Sequence, residues 1–216
     1  MIRKGFLRAA VFAALFTGLT AAASAQVTVS GGFALSSVEA KGMTEGDMHS
    51  EPGFGGNIFV DYLLPINIPL SLGFEFGYDT GSLKNSQYGI EITGVAIPIL
   101  ARAAYHFDLM ANLDLYLVGK VGYVLGSGTQ KYGTEESTEE GINGMGFGVD
   151  VGAAFYFNSR FGIFAEAGFE RYNLEKEVTG YDYKEDYGGS YYSVPYSYTL
   201  EFPFSRFVIV GISAKF

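Results

Sequence analysis

The sequence predicts an all-β fold in which eight antiparallel strands close into a transmembrane barrel. Three observations predict it. Apolar residues recur at every second position in segment after segment, which is the period of a strand with one apolar face. The 216-residue chain is 48% hydrophobic and 16% aromatic, with 30 glycines. Yet beyond residue 25 no run of 18 apolar residues occurs. Such a composition suits a barrel in lipid, because half of each strand faces inward. Finally, the faces opposite the apolar ones carry ionisable residues at mid-strand: Asp61, Glu75, Arg102, Lys120, Asp150 and Glu166. Soluble lipocalin-like or streptavidin-like barrels point apolar residues inward around a ligand. Six ionisable groups cannot line a dry pocket cheaply, but they can line the polar interior of a membrane barrel.

Residues 1–25 stand apart from the fold. Arg3, Lys4 and Arg8 form a positive region, Ala9 to Ala22 is apolar, and Ala23-Ser24-Ala25 is a small-x-small site before Gln26. This is the pattern of a secretory signal peptide cleaved between Ala25 and Gln26, leaving a barrel domain of residues 26–216. A membrane anchor helix is the alternative, but the apolar core is short for a span. Removing three positive charges takes the formal charge from −9 to −12. An acidic exported chain lacks the basic face that nucleic acid demands. With no cysteine, disulfides and thiolate chemistry are excluded.

The strands follow in order. Val27, Val29, Phe33 and Leu35 mark the first, Val27 to Ser36. A polar segment, Ser37 to Pro52, precedes the second, Gly53 to Leu64, where Phe54, Ile58, Val60 and Tyr62 share one face and Asn57 and Asp61 the other. Pro65 to Pro69 is a short turn. The third strand is the cleanest: Leu70, Leu72, Phe74, Phe76 and Tyr78 alternate with Ser71, Gly73, Glu75, Gly77 and Asp79. After a polar loop, Thr80 to Gln87, the fourth runs from Tyr88 to Tyr105. Its apolar phase changes near Gly94, which predicts a bulge there, close to Pro98. Asp108 to Asn112 turns into the fifth strand, Leu113 to Leu125, with Asp114, Lys120 and Gly122 inward. Gly126 to Asn143 reads as a long acidic loop. The sixth strand is Gly144 to Phe157 and the seventh Phe161 to Tyr172, joined by a tight turn at Asn158-Ser159-Arg160. A last long loop, Asn173 to Tyr198, leads to the eighth, where Val208, Val210, Ile212, Ala214 and Phe216 alternate. Connections thus alternate long and short. The short ones are the periplasmic turns and the longer ones the extracellular loops of such a barrel.

The pattern resembles the small eight-stranded outer-membrane proteins of the opacity-protein, OmpW and OmpX-like group. The resemblance covers nearly all of residues 26–216. It rests on the architecture, on the run Ala96-Ile-Pro-Ile-Leu-Ala-Arg-Ala-Ala-Tyr105, and on the terminal Phe216. It implies that the last strand, with Gly211 and Phe216, is a signal read by the barrel assembly machinery. It also implies location in the outer membrane, in contact with its lipid. It carries no catalytic motif, so it speaks to fold rather than function.

Candidate chemistry is sparse. The inward charges predict either a salt-bridged plug, with Glu75, Asp150 and Glu166 near Arg102 and Lys120, or a gated pore. Inward glycines, among them Gly73, Gly146, Gly148, Gly152 and Gly168, leave the space a pore needs. Tyr62, Tyr105, Phe107, Phe157, Phe161 and Phe216 fall near the short-turn ends, and Tyr78, Tyr88, Tyr123 and Phe169 near the long-loop ends. These match two interfacial girdles. In the last loop Tyr181, Tyr183, Tyr187, Tyr191 and Tyr192 cluster around Gly188-Gly189. Alternation continuing to Tyr196 and Tyr198 predicts a projecting hairpin. Tyrosine gives large contact area at low entropic cost, so this is the candidate extracellular recognition surface for a host or matrix ligand. Glu135, Glu136, Glu139 and Glu140 lack the spacing of a calcium loop and read as solvated surface.

No cofactor or metal is called for. The surface enzymes of this architecture need a Ser/His or Asp/His group at the outer rim. Of the two histidines, His106 falls at the periplasmic end and His49 in the first loop, away from any positioning strand. The chain therefore reads as non-enzymatic, leaving a structural or adhesive role first, a narrow pore for small or hydrophobic solutes second, and a lipid-modifying enzyme a distant third.

Overall fold

The computed structural model describes residues 26–39, 49–85, 89–110, 112–132, 135–185 and 191–216. They form β1 (Val27–Val38), β2 (His49–Glu51), β3 (Gly53–Leu63), β4 (Leu70–Asn85), β5 (Ile90–Met110), β6 (Leu113–Tyr132), β7 (Glu135–Tyr156), β8 (Phe161–Glu185) and β9 (Tyr191–Lys215). β2 and β3 both lie along β4, on either side of Pro52, so the nine segments make eight staves. Each stave pairs antiparallel with its sequence neighbours, and β1 pairs β9, which closes the ring. Val27 and Phe216 exchange backbone hydrogen bonds at the short-turn end. There the Asn158 carboxamide oxygen accepts from the amides of Arg160 and Phe161 at 2.8 and 2.9 Å, which fixes the tight β7–β8 turn.

The strands run well past the predicted boundaries. Most of the segments read as loops at 80–87 and 126–143 continue the antiparallel ladders, and β8 and β9 project as the hairpin that the alternation to Tyr196 and Tyr198 predicts. Beyond the lipid, both faces of a hairpin can be polar, so in the first two segments apolar alternation vanishes while backbone pairing persists. Cross-strand polar pairs take over: Thr129 with Thr138 at 3.2 Å, Lys131 with Glu136 at 3.8 Å. His49, expected in a loop, lies on β2 opposite Lys84.

The expected bulge at Gly94 is absent. Gly94 faces Gly81 on one side and Gly128 on the other in unbroken register. Ile92, Ala96 and Leu100 all point inward there, so the change near Gly94 is one of lumen composition, polar below and apolar above. The register shifts lie elsewhere, between Leu35 and Ser36, Asp108 and Met110, Gly126 and Ser127, and Ala167 and Glu170. At the third, Gly141 is the extra residue, in a left-handed conformation with φ of 75°.

The outer surface is apolar. Phe33, Phe74 and Ile212 are 79%, 73% and 71% exposed, and Phe147, Val149, Val151 and Val121 join them in a continuous belt. In water this belt would forgo about 25 cal/mol for every Å² left uncovered, a cost that lipid removes. On this outer surface Tyr105 and Phe107 pack edge-on at 5.1 Å, and Phe169 lies 6.4 Å from Phe207. Tyr88 lies outside the described residues.

The lumen is layered. Toward the long hairpins Val38, Leu83, Ile92, Ala96, Leu100, Val124, Ile142, Tyr172, Leu174 and Phe204 pack into one buried cluster. Toward the short turns Ala34, Phe59, Ala104, Tyr116, Val118, Ala154, Tyr156, Phe164 and Ile209 form a second. Charged side chains fill the space between.

Candidate functional site: the luminal charge network

Alternation along each strand sends Asp61, Glu75, Arg102, Lys120, Asp150 and Glu166 inward from β3, β4, β5, β6, β7 and β8, and all six are buried. The structure adds three partners that the sequence reading did not include: Asp79, Glu170 and Arg206. The network is therefore six carboxyl groups around three cations.

Arg206 was hidden by a bulge. Val208, Val210 and Ile212 point outward, so simple parity would place Arg206 outside as well. Against β1, however, Leu35 faces Val208 and Ser36 faces Arg206, which leaves Phe207 as an extra residue. Against β8, Gly168 and Phe169 share that same Phe207. The bulge inverts the parity of β9, turning Arg206 inward to 1% exposure while Phe207 stays on the lipid face. The adjacent apolar pair Phe207-Val208, which breaks the alternation, was its one signal in the sequence.

Three cations organise the network. Arg102 Nη1 donates to Glu75 Oε2 at 2.7 Å and Nη2 to Glu166 Oε1 at 2.6 Å, while Nε reaches Asp61 at 3.3 Å. Its guanidinium lies over the Phe59 ring at 3.8 Å. Lys120 Nζ sits among four carboxylates, at 2.6 Å from Glu170, 2.7 Å from Glu166, 2.7 Å from Asp150 and 3.2 Å from Glu75. Arg206 bridges Glu75 and Glu170, the latter at 2.5 Å. Tyr116 and Tyr172 donate their hydroxyls to Glu166 and Glu170, each at 3.0 Å. Asp79 is the loosest member. It lies 3.6 Å from Arg206, and neither of its oxygens has a hydrogen-bond partner among the described residues.

Sharing each cation among several acids offsets their desolvation, and a filled lumen leaves little room for solvent to screen them. The space that inward glycines leave is already taken. A Cβ on Gly73 would sit 2.1 Å from the Asp61 carboxylate, one on Gly148 2.5 Å from Glu170 Cγ, and one on Gly152 2.2 Å from the Tyr116 ring. Among the described residues, no group of three His, Asp or Glu side chains is arranged to hold a metal ion.

The remaining sequence candidates fall at the two ends. Gly211 faces Gly32, and a side chain on it would strike Gly31 O at 2.1 Å and the Phe164 ring at 2.7 Å. Phe216 is exposed at the short-turn rim. Gln26 accepts the Leu63 amide through its carbonyl, and Ala25 lies outside the described residues. So does Tyr187. Tyr181, Tyr183, Tyr191 and Tyr192 lie on the paired strands of the β8–β9 hairpin, their side chains outside the described set.

An apolar belt outside, charges inside and a closed antiparallel ring together require a lipid environment. Residues 9–198 match the family described as outer membrane protein beta-barrel domain. The chain belongs to that family. Among solved structures it is similar to a major outer membrane protein from Thermus thermophilus, with a TM-score of 0.55 at 16% identity, covering 89% of this chain and 100% of that one. It is also similar to Ail, the attachment invasion locus protein of Yersinia pestis, in complex with the heparin analogue sucrose octasulfate. There the TM-score is 0.50 at 15% identity, covering 89% of this chain and 99% of that one. Among curated proteins none matches. Membership of the family places this barrel in the outer membrane.

Proposed function

We propose that the protein is a closed outer-membrane barrel that serves as a surface-interaction protein, binding an external partner through its β8–β9 hairpin. One observation carries this reading. β8 and β9 stay paired from Lys176 opposite Leu200 out to Glu185 opposite Tyr191. Their flanking ladders stop earlier, at Glu175 opposite Asn143 and at Phe204 opposite Val38. Past those points, and past one backbone bond from the Glu39 amide to Pro203 O at 2.9 Å, the described residues give the hairpin no further ladder partner on either side. Unpaired strand edges are templates for strand addition by another chain. The tyrosines that crowd this sequence supply contact area at low entropic cost.

The Ail structure holds a sulfated sugar analogue. Charge argues for a different ligand chemistry here. This chain carries a formal −9, with Glu135, Glu136, Glu139 and Glu140 on the neighbouring hairpin. A polyanion would be repelled, so the partner surface is basic or uncharged.

The experiment is adhesion of cells displaying the wild-type protein, or a variant lacking residues 182–192, to immobilised matrix proteins and to a heparin surface. Expected is binding to a basic matrix protein that the deletion abolishes. Equal binding by both forms contradicts the role of the hairpin, and binding to heparin alone contradicts the charge argument.

A further inference from the structure

The lumen holds a second polar constellation, on the short-turn side of the charge network and next to its members Asp61 and Tyr116. At the short-turn mouth, Ser71 on β4, His106 on β5 and Asp114 on β6 come together from three adjacent staves. Ser71 Oγ is 2.9 Å from His106 Nε2, and His106 Nδ1 is 2.9 Å from Asp114 Oδ1. Asp114 can only accept, so the imidazole proton sits on Nδ1 and Nε2 accepts the Ser71 hydroxyl. The ladder holds the histidine in place. Its amide donates to Pro69 O at 2.8 Å, and its ring lies 5.5 Å from that of Tyr116.

All three residues line a cavity of about 130 Å³ at this mouth. A cavity of about 150 Å³ accepts a benzene-sized guest, so this volume is of the size that admits a short acyl group. Among the described residues Lys215 is the one Lys or Arg in its wall, which also carries the carboxyl groups of Asp61 and Asp114. Its Nζ lies 4.0 Å from Asp114 and 3.7 Å above the Tyr156 ring. The sequence reading set His106 aside because it lies on the periplasmic side. That excludes chemistry on the outer leaflet, not on small periplasmic molecules.

We propose that Ser71, His106 and Asp114 form an acyl-transfer site that acts on short-chain esters entering from the periplasm. Nucleophile, base and orienting acid stand in hydrogen-bonded order, the arrangement that activates a serine whatever the fold. Ser71 Oγ attacks the ester carbonyl as His106 Nε2 takes its proton. The ester C–O bond breaks, and His106 returns that proton to the departing alcohol, leaving an acyl group on Ser71. Water then attacks the acyl-serine, again giving a proton to His106, which passes it to Ser71 Oγ as the carboxylic acid leaves. Lys215 supplies positive charge for the oxyanion formed in both steps. Asp114 is a positioning residue that acts through the imidazole.

The test is reaction of the protein, purified from outer membranes in detergent, with a small fluorophosphonate, followed by peptide mass spectrometry. A phosphonyl adduct on Ser71 is expected. Burst release of about one p-nitrophenol per barrel from p-nitrophenyl acetate should accompany it. His106→Asn should slow labelling by about 10²-fold, the low end of what a general base contributes. Asp114→Asn should slow it by at least tenfold while the circular-dichroism melt stays cooperative, a loss that a merely structural clamp would not produce. An unlabelled Ser71 in folded wild-type protein, or labelling that survives in both variants, overturns the proposal.

Discussion

Lys120 shows how one side chain can hold a lumen together. Its ammonium lies within 3.2 Å of Glu75, Asp150, Glu166 and Glu170, fully buried among them. Replacing it with methionine keeps the volume but strands four carboxylates beside two remaining cations. Breaking a buried ion network of this kind costs about 3–5 kcal/mol. Urea unfolding of Lys120→Met in lipid vesicles should show a loss of that size. Asp79→Asn, at the loosely held edge of the network, should cost far less. Equal losses would mean that the charges act as a diffuse field rather than through the contacts seen here. At this scale the sequence was partly legible. Strict alternation put eight of the nine charges on inward faces, Asp79 beside Glu75 and Glu170 beside Glu166, although only six of them were read as a network. Arg206 escaped because a bulge reverses its strand, and Ser71 because its meaning depends on His106 and Asp114 from two other staves.

Among the elements, β4 was the most readable, and β9 was readable at both ends but not at the Phe207 bulge between them. Lipid on one side and lumen on the other impose period two, so Val208 to Phe216 declares itself. Past Pro203 the alternation runs on through Phe202, Leu200, Tyr198 and Tyr196, and pairing with β8 continues with it to Tyr191. The Gly94 expectation failed for a different reason. An inner face that passes from charged to apolar along one strand imitates a bulge. The same element gives Gly211 a packing role beside any part in assembly, because it and Gly32 make the slot in which the Phe164 ring lies. Gly211→Val should force the strands apart or eject Phe164, and overpacking of this kind costs roughly 1–3 kcal/mol. A matching fall in the unfolding midpoint is expected. If Gly211→Val unfolds like wild type but fails to reach the outer membrane, recognition during assembly outweighs packing.

Taken whole, the molecule is an inverted globule, with its apolar residues facing lipid and its charges enclosed. The sequence was enough for that inversion, because composition and alternation both report it. Whether the lumen conducts was not legible, since closure depends on how side chains from eight staves fill the gaps beside one another's glycines. The structure supports closure at two levels, the charge network and the apolar cluster above it. The most direct measurement is solute flux through liposomes containing the protein purified from outer membranes, with small charged, neutral and apolar solutes. A closed lumen predicts flux no greater than through empty liposomes, for wild type and for Asp79→Asn alike. Selective flux that changes when Lys120 or Glu75 is neutralised would contradict it and make the charge network the lining of a pore.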